Sequence, residues 1–241
     1  YNIYVKGEEP EGLEPVDIII NTRRDLEILR LCLGDKVKFM AKDSKKNTTF
    51  RISAEADLKS LDWDYRKPEE AYSVIEKIQM PADIQSILSA KTETIPQKYV
   101  HKVNQGNVLI SDAERMENVV YFKGFNCIDE IKSDHNADHL DGIKLFEAAR
   151  QATLASFHVM GVTFEGVMAL TASFVDYKKF VELDKPYYIQ AIPACKPDGG
   201  AMYCAFAIIQ DNLVNASGYF GAYTFRNREL YLNKRKQNRG A

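Results

Sequence analysis

The run Asp134-His135-Asn136-Ala137-Asp138-His139-Leu140-Asp141-Gly142, continued by Ile143-Lys144-Leu145-Phe146-Glu147-Ala148-Ala149-Arg150-Gln151, decides the reading of this chain. It opens polar and breaks at a glycine. It then becomes an almost wholly apolar helical stretch carrying one carboxylate, one guanidinium and one amide. A helix apolar on most sides belongs inside a fold. Glu147 and Arg150 are costly there unless they are paired or used. That conflict marks the stretch as the first place to look for function.

Outward from it the pattern is orderly. The helix is expected from about Asp141 to Met160, with Asp141 capping it and Gly161 ending it. Upstream, Asn107–Ala113 and Val119–Phe125 read as a hairpin across Arg115–Asn118. Downstream, strands are expected at Val167–Tyr177, Tyr187–Cys195, Ala201–Gln210 and Val214–Phe225. Asp184-Lys185-Pro186, Pro197-Asp198-Gly199-Gly200 and Asp211-Asn212 supply the turns between them. Two strands, one buried helix and a run of antiparallel strands make an α+β order. A sheet curled around a single central helix satisfies it.

Residues 1–66 read as a small N-terminal α/β unit. Its strands are expected at Val16–Ile20, Val37–Ala41 and Thr49–Ala56, the last two across a polar turn at Asp43–Asn47. A helix over Asp25–Leu33, capped by Asn21 or Thr22 and ended by Gly34, lies between them. Residues 67–98 read as a helical linker of two short helices opening at Pro68 and Pro81. Their apolar stripes are Tyr72, Ile75 and Ile78, then Ile84, Ile87 and Leu88. Residues 99–227 form the main domain, and 228–241 a basic tail expected to be solvated and frayed.

The 241 residues suffice for one large domain or two small ones. With 45% hydrophobic and 27% charged residues the chain is ordinary globular material. A formal net charge of -2 gives no global field for nucleic acid. No run approaches the roughly 18 apolar residues of a membrane span. The four cysteines, Cys32, Cys127, Cys195 and Cys204, form no C-x-x-C pair. Free thiols in a reducing cytoplasm are therefore expected rather than zinc.

On a helix, positions i, i+3 and i+4 share a face, so Glu147, Arg150 and Gln151 cluster. Asp138 and His139 lie just before the helix start, where backbone N–H groups and the helix dipole favour a carbonyl or phosphate oxygen. Gly142 would let the backbone come close to such a group. Glu147 is a general base if desolvation raises its pKa. Arg150 either holds Glu147 ionised or binds an anion bidentately. The bland alternative is an ordinary intrahelical ion pair, with Gln151 satisfying a buried carbonyl. His135 and His139 have no third ligand at matching spacing, so neither a metal nor another cofactor is expected.

Asp134-His135-x-x-Asp138-His139-x-x-Gly142-x-x-x-x-Glu147-Ala148-x-Arg150-Gln151 resembles the signature of the A-factor biosynthesis (AfsA-type) hotdog domain. Val100-His101-Lys102-x-Asn104 and Val108-Leu109-Ile110-x-Asp112 resemble that family's opening segment. The resemblance covers roughly residues 97–227. It implies a hotdog fold, an antiparallel sheet around a long central helix, assembled as a homodimer. It also implies acyl-thioester chemistry. The best-known members condense a β-ketoacyl group on acyl carrier protein with the hydroxyl of dihydroxyacetone phosphate, leading to γ-butyrolactone signals. Carried over by motif position, the candidates are His101, Asp112, His135, Asp138, His139, Gly142, Glu147, Arg150 and Gln151. Asp141 joins them as a substrate-binding candidate at the helix start.

Two departures bear on this. Hotdog dehydratases also place a glycine five residues before a helix glutamate, but the position of their catalytic histidine corresponds to Ser133. Family enzymes resemble two tandem copies, and here only the C-terminal one carries the signature, so residues 1–66 are open to reading as a degenerate first copy. Three functions remain in play. The first is acyl transfer from a carrier-protein or coenzyme A thioester to a hydroxylated acceptor. There Glu147 or His139 acts as base, helix-start N–H groups and Gln151 steady the oxyanion, and Arg150, Lys102 or Lys144 meets phosphate. The others are a thioesterase or dehydratase, and a non-catalytic acyl-binding protein.

Overall fold

The computed structural model describes residues 2–5, 17–20, 38–43 and 48–52 as backbone, and residues 75–76, 78–126, 131, 138–195, 197 and 199–239. The chain divides into two compact units, Tyr1–Ile78 and Gln79–Ala241. The expected helix over Asp25–Leu33, most of the one opening at Pro68, and Cys32, Cys127 and His135 lie outside the described residues.

In the first unit, β1 (Asn2–Val5), β2 (Asp17–Ile20), β3 (Lys38–Asp43) and β4 (Thr48–Ile52) form a sheet in the order β2-β1-β3-β4. β1 pairs parallel with both β2 and β3, and β3 pairs antiparallel with β4. Strand pairing here therefore differs in kind from that of the second unit. β1 had no counterpart in the sequence reading.

The second unit opens with α1 (Ala82–Ser89), which buries Ile84 and Leu88 at the expected spacing. β5 (Glu114–Met116), β6 (Val119–Lys123), β7 (Val167–Tyr177), β8 (Tyr188–Ala194), β9 (Gly200–Gln210) and β10 (Leu213–Phe225) form one antiparallel sheet, ordered β5-β6-β8-β9-β10-β7. The β9–β10 hairpin turns through Asp211 and Asn212, both at positive φ (52° and 60°), as the two-residue turn of a twisted hairpin requires.

The central helix α2 (Gly142–Val159) packs on β8 and β9. Its period sets Leu145, Ala149, Ala152 and Ser156 on one flank, all buried, and the small side chains of the last three let helix and sheet come close. Ile189, Ala191, Cys204, Phe206, Ile208, Ala216 and Phe220 face it from the sheet and complete the core. Phe220 meets Phe146 edge-on at 5.1 Å and stacks on Phe206 at 5.3 Å.

Two expectations are corrected. Asn107–Ala113 is not a continuous strand: residues 105–107 form a 3-10 turn, Ile110 meets Gly124 in an isolated antiparallel bridge, and the regular strand is Glu114–Met116. The backbone of this run is also tied to α2, since Gln151 accepts from the Leu109 N–H at 2.8 Å and donates to the Asn107 carbonyl at 2.8 Å. The basic tail is not frayed but forms α3 (Arg228–Arg239), capped by Asn227 Oδ1 accepting from the Leu230 N–H at 2.9 Å.

Gly218 is required by the sheet. A Cβ there would collide with the Phe174 carbonyl of β7 and stand 2.9 Å from Phe206 Cζ. Gly218→Ala is expected to destabilise the protein by about 1–3 kcal/mol, the usual cost of overpacking. Urea denaturation followed by circular dichroism measures it.

Candidate functional site

The flank of α2 turned from the small residues carries Glu147, Arg150, Gln151 and His158. Segment 97–109 lies along it, led by a 3-10 turn at Gln97–Val100 that contacts α2. From this segment Lys102 reaches Glu147. Glu147 Oε2 accepts from Arg150 Nε at 2.7 Å. Its Oε1 accepts from Arg150 Nη2 at 2.7 Å, Gln151 Nε2 at 3.0 Å and Lys102 Nζ at 3.1 Å. The Glu147 side chain is only 13% exposed, so these bonds work with little solvent screening.

Burial by itself pushes the Glu147 pKa up. Bonds from Arg150 and Gln151, the Arg150 charge and the Lys102 bond outweigh it, and the group falls to about 2. The expectation that desolvation raises Glu147 into the range of a general base is thus overturned. A carboxylate held ionised this firmly is a poor proton acceptor at neutral pH. Gln151 is fully buried, and its amide hydrogens are committed to Glu147 and the Asn107 carbonyl.

His101 joins the same flank. It is an exposed residue at positive φ (55°), yet its Nε2 lies 2.9 Å from Nε2 of the buried His158. His158 Nδ1 donates to the Val162 carbonyl at 2.8 Å, which assigns its neutral tautomer. His158 Nε2 must then accept, and His101 Nε2 donates. Desolvation first, then the neighbouring His158 and Arg150, lowers the His101 pKa to about 4. Desolvation lowers that of His158 as well. His158 also stacks on Phe164 at 4.1 Å. The motif reading missed His158, although helical spacing from Glu147 places it on this face.

A second group gathers at the start of α2. His139, Leu140, Gly142 and Leu145 form one side of a cavity of about 440 Å³, and Tyr177, Lys178, Lys179, Phe180 and Val181 the other. The Leu140 N–H donates to the Val181 carbonyl at 2.8 Å, and His139 bridges to Glu182. His139 Nδ1 lies 2.8 Å from Asp138 Oδ1, and its ring lies 4.4 Å from that of Phe180. The bond from His139 holds the Asp138 carboxyl below its ordinary pKa. Asp141 caps α2, its Oδ1 accepting from the Ile143 N–H at 2.8 Å. One helix-start donor expected for an oxyanion is therefore already engaged. Gly142 packs under Tyr177, whose hydroxyl donates to the Gly142 carbonyl at 2.6 Å.

Two buried amides hold the Tyr177 side of the cavity. The Asn215 side chain donates to the Phe180 carbonyl at 2.6 Å, and its backbone carbonyl accepts from the Lys178 and Lys179 N–H groups. Gln210 accepts from the Glu182 N–H at 2.7 Å and donates to the Glu182 carbonyl at 3.1 Å.

The predicted residues thus fall into two groups. His139 and Gly142 line the cavity, with Asp138 bonded to His139 from the solvent side and Asp141 capping the helix next to them. His101, Glu147, Arg150 and Gln151 meet along the α2 flank. Asp112 stands outside both, exposed, its carbonyl accepting from Lys91 Nζ at 2.9 Å. Lys178, Lys179, Tyr177 and Phe180 were not anticipated. Among the described residues no group of three or more His, Cys, Asp or Glu is placed to hold a metal ion. No helix among them is long and apolar enough to cross a membrane. Cys195 and Cys204 carry free thiols, pushed up by burial to about 11 and about 12.

The shifts set a pH dependence. Unfolded His101 takes up a proton below its ordinary 6.5, while the folded group resists until about 4. Its contribution to stability is complete above pH 6.5 and is lost as pH falls toward 4. Glu147 contributes fully above 4.5 and loses its contribution as pH falls through about 2. Denaturation midpoints measured across pH are expected to decline from 6.5 to 4. His101→Asn is expected to reduce that decline, the share of His158 remaining; Glu147→Gln leaves it and flattens the curve only below 4.5.

Residues 85–223 match the A-factor biosynthesis hotdog domain family, which is more than half of the chain. Among solved structures the chain is similar to an uncharacterized protein from Pyrococcus horikoshii, at 17% identity and a TM-score of 0.41, over 58% of this chain and 99% of that one. It is similar to a hypothetical thioesterase from Streptococcus pneumoniae solved with coenzyme A, at 18% identity and a TM-score of 0.39, over 48% and 87%. A third is the Escherichia coli PaaI protein of the phenylacetic acid degradation operon, at 15% identity and a TM-score of 0.36, over 46% and 80%. No curated protein matches the chain. By the family match and its six-stranded antiparallel sheet around a long helix, the chain belongs to the A-factor biosynthesis hotdog domain family.

Proposed function

We propose that the chain binds an acyl thioester in the cavity beside the start of α2 and transfers its acyl group to a hydroxylated acceptor. The observation that carries this reading is the Asp138–His139 pair on the rim of an otherwise largely apolar cavity. With Nδ1–H given to Asp138, neutral His139 presents the Nε2 lone pair. Nε2 takes the proton of the acceptor hydroxyl as its oxygen bonds to the thioester carbonyl carbon. The C–S bond then breaks, and the imidazolium returns the proton to the departing thiolate. A thioester becomes an oxygen ester and a thiol is released.

The proposed donor is a β-ketoacyl group on acyl carrier protein or coenzyme A. The proposed acceptor is a phosphorylated triose such as dihydroxyacetone phosphate, in the manner of γ-butyrolactone synthesis. Lys102 and Arg150 are paired with Glu147, and Lys178 with Asp176 at 3.2 Å, so the phosphate is assigned to Lys179, which lines the cavity. Glu147, Arg150 and Gln151 keep α2 and segment 97–109 together rather than touch the reacting atoms.

Incubation with acetoacetyl-coenzyme A, with and without dihydroxyacetone phosphate, tests this by mass spectrometry. The ester is expected only with the acceptor present, and His139→Ala is expected to lower its formation at least about 100-fold, the lower end for a general base. Free acid irrespective of acceptor would assign a thioesterase instead; an unconsumed thioester would refute a catalytic role.

We also propose that two copies pair along β7. This strand ends the sheet and runs eleven residues without a lysine, arginine or proline, the residues that commonly guard an edge. Its Leu170 is 54% exposed. A two-fold axis makes such edge pairing antiparallel and self-complementary. Light scattering at micromolar concentration is expected to return twice the chain mass, and Leu170→Lys to return the single mass.

A further inference from the structure

We propose that Tyr177 is the specificity residue of the cavity, its hydroxyl turning from the Gly142 carbonyl to the carbonyl oxygen of the bound acyl thioester. The inference rests on the acyl-thioester reading of this cavity and names the ligand atom that the cavity recognises.

Tyr177 is the last residue of β7, lines the cavity and is 49% exposed. Its ring lies over the bare Cα of Gly142: a Cβ there would stand 3.4 Å from Cζ and 3.5 Å from Oη. The glycine therefore gives the phenol its place, and a ligand filling the cavity meets the hydroxyl. That hydroxyl is a transferable donor. The Gly142 carbonyl is inside α2, where the Phe146 N–H is its regular partner. A carbonyl oxygen has two lone pairs, so the helix bond remains when the phenol leaves.

The surroundings suit a neutral carbonyl ligand. Leu140, Leu145, Phe180 and Val181 offer an acyl chain apolar contact without side-chain donors. The phenol stays protonated, because burial and the nearby Asp141 carboxylate both push its pKa up. It is then a hydrogen-bond donor throughout the neutral range, and the thioester oxygen is its matching acceptor.

Octanoyl-coenzyme A and S-octyl-coenzyme A have matching chains, but only the first has a carbonyl. Isothermal calorimetry without acceptor gives their relative affinities. The wild type is expected to prefer the thioester by about three- to tenfold, the worth of one neutral hydrogen bond. Tyr177→Phe keeps the ring on Gly142 and is expected to bind both probes alike. Tyr177→Ala is expected to lose the preference too, whatever its absolute affinity. A preference that survives in Tyr177→Phe overturns the inference and leaves the acyl-thioester reading standing. So does an equal weakening of both probes with the preference kept, the mark of a merely structural pin. Wild type that binds neither probe overturns the acyl-thioester reading and this inference together.

Discussion

Close contact between the small residues of α2 and the strands behind them is the constraint from which the rest follows. Ala149, Ala152 and Ser156 let the helix lie against β8 and β9, where larger side chains would hold it off. A helix drawn that far into a sheet has a second flank that still needs cover. Segment 97–109 supplies it, and does so with polar bonds: Lys102 to Glu147, His101 to His158, and the backbone at 107 and 109 to Gln151. The ionic residues of the central helix are tolerated because each of these bonds is made within the fold. Unmade, a single buried donor or acceptor costs about 1–3 kcal/mol.

Elements held by local contacts were legible in the sequence; those held from a distance were not. The strands Val167–Tyr177 and Leu213–Phe225 and the helix Gly142–Val159 fall within about a residue of expectation, because period and turn chemistry are local properties. Asn107–Ala113 was legible only in part. Its middle does meet Gly124 as a strand would, but its first residues bond to Gln151, an amide more than forty residues away in the chain, and this interrupts the strand. The tail Arg228–Arg239 misled for a different reason. Charge alone describes a solvated end, whereas Asn227 as a cap and Phe225 against Tyr231 at 5.4 Å give it a helix.

In the candidate site, the clustering of side chains was legible and the bonds they make were not. Spacing brought Glu147, Arg150 and Gln151 together, and the structure agrees. The sign of the Glu147 shift did not follow, because desolvation and hydrogen bonding oppose each other and only the arriving donors decide the outcome. Lys102 is 45 positions upstream, beyond any local rule. The side of the cavity at 177–181 was equally hidden, since it follows a strand end with no motif of its own. It is positioned by Asn215 and Gln210, buried amides in what reads as plain hydrophobic strand.

Those two amides bear on which end of α2 can do chemistry. A base must be fixed relative to its substrate to within fractions of an ångström. His139 precedes the helix, where a free loop would leave it unfixed. It is not free: the Leu140–Val181 bond and the His139–Glu182 bridge tie it to the segment that Asn215 and Gln210 hold from β9 and β10. The rigidity of the central sheet is thereby passed to a residue outside any regular element. Glu147, by contrast, is held by bonds from Arg150, Gln151 and Lys102, and these donors keep its carboxyl ionised, which makes it a poor proton acceptor. Fixing a group by filling its hydrogen bonds disarms it, whereas fixing it through its backbone and one ring nitrogen leaves the other nitrogen available. On that ground the proposed acyl transfer is set at the Asp138–His139 end of the central helix rather than at Glu147.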